Sequence, residues 1–180
     1  MKTSIFIQLG LALYLLLAPT SAFAGTRIQQ LGYDAPDGAR ITGFMYFEAE
    51  TPKDAPVAIL MHGLMGSSLF WLAADNYAHG DVLTAMLIER GYRVVALDAR
   101  AHGARGDDKS PYERVMGARQ GDAVAYQQMI EATVGDYQFL LDKVMSNFAE
   151  TKEIVAIGYS MGAQMGTLLA AQDDRVTALV

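Results

Sequence analysis

Ser160 lies in the segment Gly158-Tyr159-Ser160-Met161-Gly162, of the form G-x-S-x-G. An apolar run, Ile154–Ile157, precedes it and a small-residue stretch, Ala163–Ala171, follows. A strand that turns into a helix within a couple of residues forces the residue at the turn into a strained conformation and presents its side chain outward. Glycines two places to either side let strand and helix approach without collision. The helix start adds unpaired N–H groups and a positive dipole end, which favour a developing oxyanion. The chemistry expected is attack by Ser160 Oγ on an acyl carbon. The five-residue pattern alone is weak, because glycine and serine are common. Its position between an apolar run and a helical stretch makes it specific, against the alternative of a tight turn with an idle serine.

The elements that must hold this turn are legible. Arg27–Tyr33 and Arg40–Glu48 read as two strands joined by a turn at Asp34–Gly38. Val57–Met61, Tyr92–Leu97 and Glu153–Ile157 are short continuous apolar runs, and Arg175–Val180 reads as a further strand. Asp81–Arg90 reads as a helix closed by Gly91. Ala123–Phe148 carries apolar residues three or four apart and reads as a long helix, in which Gly135 costs about 1 kcal/mol against Ala and permits a bend. Met161–Ala171 reads as a helix, and residues 99–121 as a long loop. Apolar strands alternating with helices imply an α/β fold: a mostly parallel sheet with helices on both faces. Such a sheet carries its site at the carboxyl ends of its strands, where His62-Gly63, Asp98 and Gly158–Gly162 fall.

His62-Gly63-Leu64 follows the first buried strand, and here the chain resembles the α/β-hydrolase family. The resemblance implies that the residue after the His-Gly pair donates its backbone N–H to the oxyanion. The donors would then be Leu64 N–H and Met161 N–H, with His62, Gly63, Gly158 and Gly162 supporting the motifs and His62 shaping its loop. Asp98-Ala99-Arg100-Ala101-His102-Gly103 resembles the family's D-x-R-G-H-G segment, with Ala101 where glycine is usual. Asp98, Arg100 and His102 are expected to be structural. The order of motifs covers residues 57–180 and is far more specific than any one motif.

A serine hydroxyl needs a base, and the base an orienting carboxylate. In this fold the chain order is Ser, then Asp or Glu, then His. Only 20 residues follow Ser160, and none is histidine. Asp173 and Asp174 precede the next strand, on the wrong side to be the acid. His62, His79 and His102 all precede the serine, and a base from His79 would break the family order. The expectation is that the sequence stops inside an apolar strand, that acid and base lie beyond it, and that the stretch alone is a poor catalyst with an open sheet edge.

Composition narrows the rest. The 180 residues are 52% hydrophobic and 19% charged, which excludes a disordered or coiled-coil chain. Net charge is −6, or −7 without Lys2, so nucleic acid is not an expected partner. The absence of cysteine excludes disulfides, thiolate metal sites and a cysteine nucleophile, and leaves the redox compartment open. No cofactor and no metal is expected, since no His and carboxylates share ligand spacing. Met1–Ala24 has the layout of a secretory signal: Lys2, an apolar run from Ile5 to Ala18, then Ala22-Phe23-Ala24 as a small–x–small cleavage site before Gly25. The run is about 14 residues, short of the roughly 20 that span a bilayer. An exported, periplasmic or extracellular domain over residues 25–180 is expected, without stable membrane insertion.

The leading expectation is a serine hydrolase acting on a small-molecule ester. A serine peptidase and a non-catalytic hydrolase-like binding protein are the alternatives. Leu69, Phe70, Trp71 and Tyr77 read equally as an acyl pocket or as ordinary packing. Arg100, Arg105, Lys109, Arg114 and Arg119 alternate with acids, as on a solvated face.

Overall fold

The computed structural model describes residues 25–74, 76–148 and 150–180, so the segment read as an export signal lies outside the described residues. The strands are β1 (Thr26–Asp34), β2 (Arg40–Glu48), β3 (Val57–Met61), β4 (Arg93–Leu97), β5 (Ile154–Gly158) and β6 (Ala178–Leu179). The helices are α1 (Gly80–Glu89), α2 (Pro111–Arg119), α3 (Val124–Asn147) and α4 (Met161–Gln172). Short 3-10 turns cover Ser68–Leu72 and Gly103–Arg105.

One sheet runs in the order β1-β2-β4-β3-β5-β6. β1 and β2 form an antiparallel hairpin, and β2 joins β4 antiparallel. From β4 through β3 and β5 to β6 all pairings are parallel. The chain leaves β3 to one side for β4 and returns to the other side for β5. The loops after β3 and β5 therefore diverge around a crevice at the carboxyl ends of these strands, where such sheets bind ligands.

Every residue of β3 and β4 is buried, as in strands covered on both faces. The pleat splits β3 between two cores. Val57, Ile59 and Met61 pack with Tyr137 and Leu141 of α3 and Met165 and Leu169 of α4. Ala58 and Leu60 face the other way, toward Trp71 and Ile88. This double burial explains why β3 and β4 are legible as unbroken apolar runs.

The structure departs from the sequence reading in two places. Residues 99–121 are not one loop, because Pro111–Arg119 forms a helix. Pro111 is its only buried residue, so it has no apolar stripe to betray it. Its signal is the cap: Ser110 Oγ accepts from Glu113 N–H, and Glu113 reaches back to Ser110 N–H. Helix α3 is one element through Gly135, as the spacing of its apolar residues predicts. β6 is shorter than Arg175–Val180, because Arg175 and Val176 close a turn on Asp173.

Candidate active site

Ser160 joins β5 to α4 with φ 56° and ψ −113°. A side chain rarely adopts this conformation, which costs on the order of 1–3 kcal/mol. Neighbouring contacts hold it there. Tyr159 N–H donates to Met61 O at 3.0 Å, and Gly162 N–H donates to Tyr159 O at 2.8 Å. A β-carbon on Gly162 would collide with the carbonyl oxygen of Met61, and one on Gly158 with the carbonyl oxygen of Gly162. Both glycines are thus required by close backbone approach, as their spacing predicts. Ser160 is exposed, and its hydroxyl does not cap the helix it precedes.

The His62-Gly63-Leu64 loop lies against this turn. A β-carbon on Gly63 would stand 3.3 Å from Ser160 Cβ and 3.0 Å from the Tyr159 ring. Among the described residues, neither Leu64 N–H nor Met161 N–H donates to a protein acceptor. The two N–H groups without a protein acceptor thus belong to the loop after β3 and to the start of α4, the two segments that meet at Ser160.

His62 is fully buried. Its Nε2 accepts from Ala99 N–H at 3.1 Å, so the ring proton is on Nδ1, which donates to Gly63 O at 2.8 Å. Burial pushes its pKa down to about 4. A neutral ring with its one lone pair occupied cannot take a proton from Ser160. His62 instead ties the loop after β3 to the end of β4. His102 is also buried and donates from Nδ1 to Arg100 O. His79 is exposed and caps α1 at φ 48°. No described histidine hydrogen-bonds to Ser160.

Asp98 organises the floor. Its carboxylate accepts from Ser68 N–H at 2.7 Å, from Thr42 Oγ1 at 2.8 Å and from Ala104 N–H at 3.3 Å. Burial pushes its carboxyl up, but these hydrogen bonds outweigh it and hold it below the usual range. Arg100 forms a two-pronged pair with Asp136 of α3 and reaches Asp37 in the β1–β2 turn. Arg105 pairs with the same Asp136 at 2.7 Å. Arg100 and Arg105 are thus bound into the fold, and the mixed charges of residues 100–119 form only partly a solvated face. Ala101 stands at φ 64°, which explains why glycine is the usual residue there. Asp173 is held by Arg175 and sits before β6, at the opposite end of the sheet from Ser160.

Of the four aromatic and aliphatic candidates near the site, Trp71 is core at 1% exposure and Tyr77 projects into solvent at 92%. Leu69 and Phe70 line a cleft between the two 3-10 turns. Asp136 and Thr42 were not singled out from sequence. Asp136 lies on the buried face of α3, where a lone acid at an apolar position is the signal for a paired charge. Among the described residues no cluster of His, Asp and Glu is arranged to hold a metal ion.

The profile of the Alpha/beta hydrolase family matches residues 58–180. The chain belongs to the alpha/beta hydrolase family. This hydrolase-family chain also superimposes on solved esterases. An esterase of Pyrococcus furiosus is 19% identical with a TM-score of 0.62, over 89% of this chain and 52% of that one. A cold-adapted esterase from an Arctic intertidal metagenomic library is 20% identical with a TM-score of 0.59, over 86% and 59%. A bacterial brefeldin A esterase, a homologue of human hormone sensitive lipase, is 20% identical with a TM-score of 0.56, over 86% and 39%. At these identities the likeness is one of fold. The hydrolase-family chain spans about half the length of the structures it matches. No curated protein matches it in sequence.

Proposed function

We infer that this chain carries the nucleophile half of a serine ester hydrolase, with Ser160 forming the acyl-enzyme. The observation that carries this reading is the backbone of Ser160, held at φ 56° between a strand and a helix. Strain of this kind persists where surrounding structure enforces it, and it serves a site. Three structural neighbours bearing the name esterase support ester bonds as the target.

Ser160 Oγ attacks the acyl carbon, and its proton passes to a general base. The carbonyl oxygen becomes an oxyanion between Leu64 N–H and Met161 N–H, and the start of α4 adds its positive end. The tetrahedral species collapses, the alcohol leaves with the proton from the base, and the acyl group remains on Ser160. Water attacks that ester and gives a proton to the base, and the base returns it to Ser160 Oγ as the acid is released and the enzyme is restored. Neither His62 nor Asp98 is available as base or acid, because both are spent in structural bonds. We place the base and its carboxylate in polypeptide outside residues 25–180, which the greater length of the structural neighbours supports. The substrate is a small-molecule ester, and no cofactor takes part. Residues 1–24 direct export to the periplasm or beyond, and N-terminal sequencing of the secreted protein should begin at Gly25.

The test is Ser160→Ala in the full-length protein. Hydrolysis of p-nitrophenyl acetate should fall by at least about 10³-fold, as for loss of a nucleophile. Retention of wild-type turnover would refute the reading.

A further inference from the structure

β1 stands at one end of the sheet, and among the described residues no strand pairs with its outer edge. Two hydrogen bonds fix which of its residues face outward. Thr42 O accepts from Asp98 N–H at 2.9 Å, so Thr42 turns its backbone polar groups toward β4. Those groups alternate sides along a strand, so Gly43 and Met45 turn theirs toward β1, to their register partners Leu31 and Gln29. Ala35 N–H, donating to Ala39 O at 2.9 Å, continues the same alternation. The N–H and C=O groups of Thr26, Ile28, Gln30, Gly32 and Asp34 therefore point out of the sheet edge.

This edge lacks the usual devices against strand addition. β1 contains no proline and no lysine, and it pairs with β2 along all 9 residues without a bulge. Ile28 is 56% exposed. Gly32, with no side chain, borders a hollow of about 390 Å³ together with Gln30, Leu31, Arg40 and Thr42. An apolar knob and a hollow thus lie two residues to either side of Gln30.

We propose that the outer edge of β1 pairs with the same edge of a second copy of this chain, antiparallel about a two-fold axis at Gln30. Overlap of the whole strand fixes that centre. It sets Gln30 opposite Gln30, Ile28 opposite Gly32 and Thr26 opposite Asp34. These are the outward-facing residues, so each pair exchanges two backbone hydrogen bonds. Ile28 of each copy enters the hollow of the other. There it meets the Arg40 guanidinium, which lies where a β-carbon on Gly32 would stand. On the opposite face of the sheet Arg27 meets Tyr33 and Gln29 meets Leu31. No like charges stand opposite one another, and the patch is complementary to itself, as a two-fold interface requires. Pairing at β1 leaves β6, at the other end of the sheet, untouched. It is independent of the role of Ser160, which follows β5 and stays open in both copies.

Sedimentation equilibrium of the full-length protein tests this. One strand pair is at the small end of interface sizes, so the run uses about 100 μM protein. The wild type should be a dimer there. Gln30→Pro removes an outward N–H and no hydrogen bond to β2, so this variant should be monomeric and folded by circular dichroism. Ile28→Lys sets a cation against Arg40 of the other copy. It should raise the dissociation constant by at least about tenfold, since each dimer loses two buried isoleucines. The chain has no cysteine, so thiols introduced singly read the register. Gln30→Cys should form an intermolecular disulfide on mild oxidation, with its Cα atoms about 5.5 Å apart across the axis. Ile28→Cys should not, with its Cα atoms about 14 Å apart. A monomeric wild type, or a dimer that survives both Gln30→Pro and Ile28→Lys, overturns the proposal. Cross-linking at residue 28 and not at residue 30 overturns the pairing about Gln30.

Discussion

The carbonyl oxygen of Met61 occupies the place where a β-carbon on Gly162 would have to stand. The first turn of α4 thus rests directly on the end of β3. This contact brings the loop after β3 and the start of α4 to the same serine, and it exists only because residue 162 has no side chain. Gly162→Ala should destabilise the domain by about 3 kcal/mol or more, because backbone rather than a flexible side chain must move. Urea denaturation of the variant and the parent measures it. A loss under about 1 kcal/mol would mean that the two elements are not in contact.

Gly135 is the opposite case. It is exposed in the middle of α3, and a β-carbon there meets nothing within 4 Å. Gly135→Ala should stabilise the domain by about 0.5–1 kcal/mol through helix propensity and a less flexible unfolded chain. The same denaturation experiment reads it, and a destabilised variant would contradict an uninterrupted helix.

Ser160→Gly should separate stability from activity. Glycine accepts φ 56° without strain, so the variant should be more stable by about 1 kcal/mol, after the extra freedom of glycine in the unfolded chain is counted. It should also be inactive. Thermal melts together with ester hydrolysis check both parts. A less stable variant would mean that the serine side chain serves the fold rather than chemistry.

His62 makes stability depend on pH. Its folded pKa, about 4, lies below the ordinary 6.5. The unfolded chain therefore binds the proton first, and stability present above pH 6.5 is lost as pH falls toward 4. The full loss is about 3 kcal/mol. Burial shifts His102 in the same direction. Urea midpoints at pH 7 and pH 5 should show the fall, and His62→Gln should reduce it. Equal slopes in parent and variant would remove His62 as the cause.

Asp98→Asn should weaken the floor of the site. Asn keeps one acceptor oxygen, so its NH2 must face either Ser68 N–H or the pair Thr42 Oγ1 and Ala104 N–H, each of which donates to a carboxylate oxygen in the parent. A loss of about 2–3 kcal/mol is expected. The loop carrying Leu64 N–H is anchored four residues later at Ser68, so kcat should fall more than KM rises. Unchanged kcat in folded protein would mean that the anchor does not reach the oxyanion donors.

Much of this was legible in sequence for identifiable reasons. β3, β4 and β5 are covered on both faces, so nearly every residue is apolar. Gly158 and Gly162 are required by backbone contact, and that requirement shows as residue type and spacing. The family was recognisable from the order of His62-Gly63, Asp98 and Ser160. Helix α2 escaped because its body is exposed, and only Ser110, Pro111 and Glu113 mark it. Two of the partners of Asp98 lie 30 and 56 residues away, at Ser68 and Thr42, and pairing over that distance leaves no local pattern. The same holds for Arg100 and Asp136, 36 residues apart.

The most direct measurement is intact-mass and peptide mass spectrometry of the full-length protein after exposure to a serine-directed fluorophosphonate. One covalent adduct is expected, located on the peptide that contains Ser160, with ester hydrolysis lost in proportion to labelling. An unlabelled Ser160 in an enzyme that hydrolyses esters, or labelling elsewhere that abolishes activity, would contradict it.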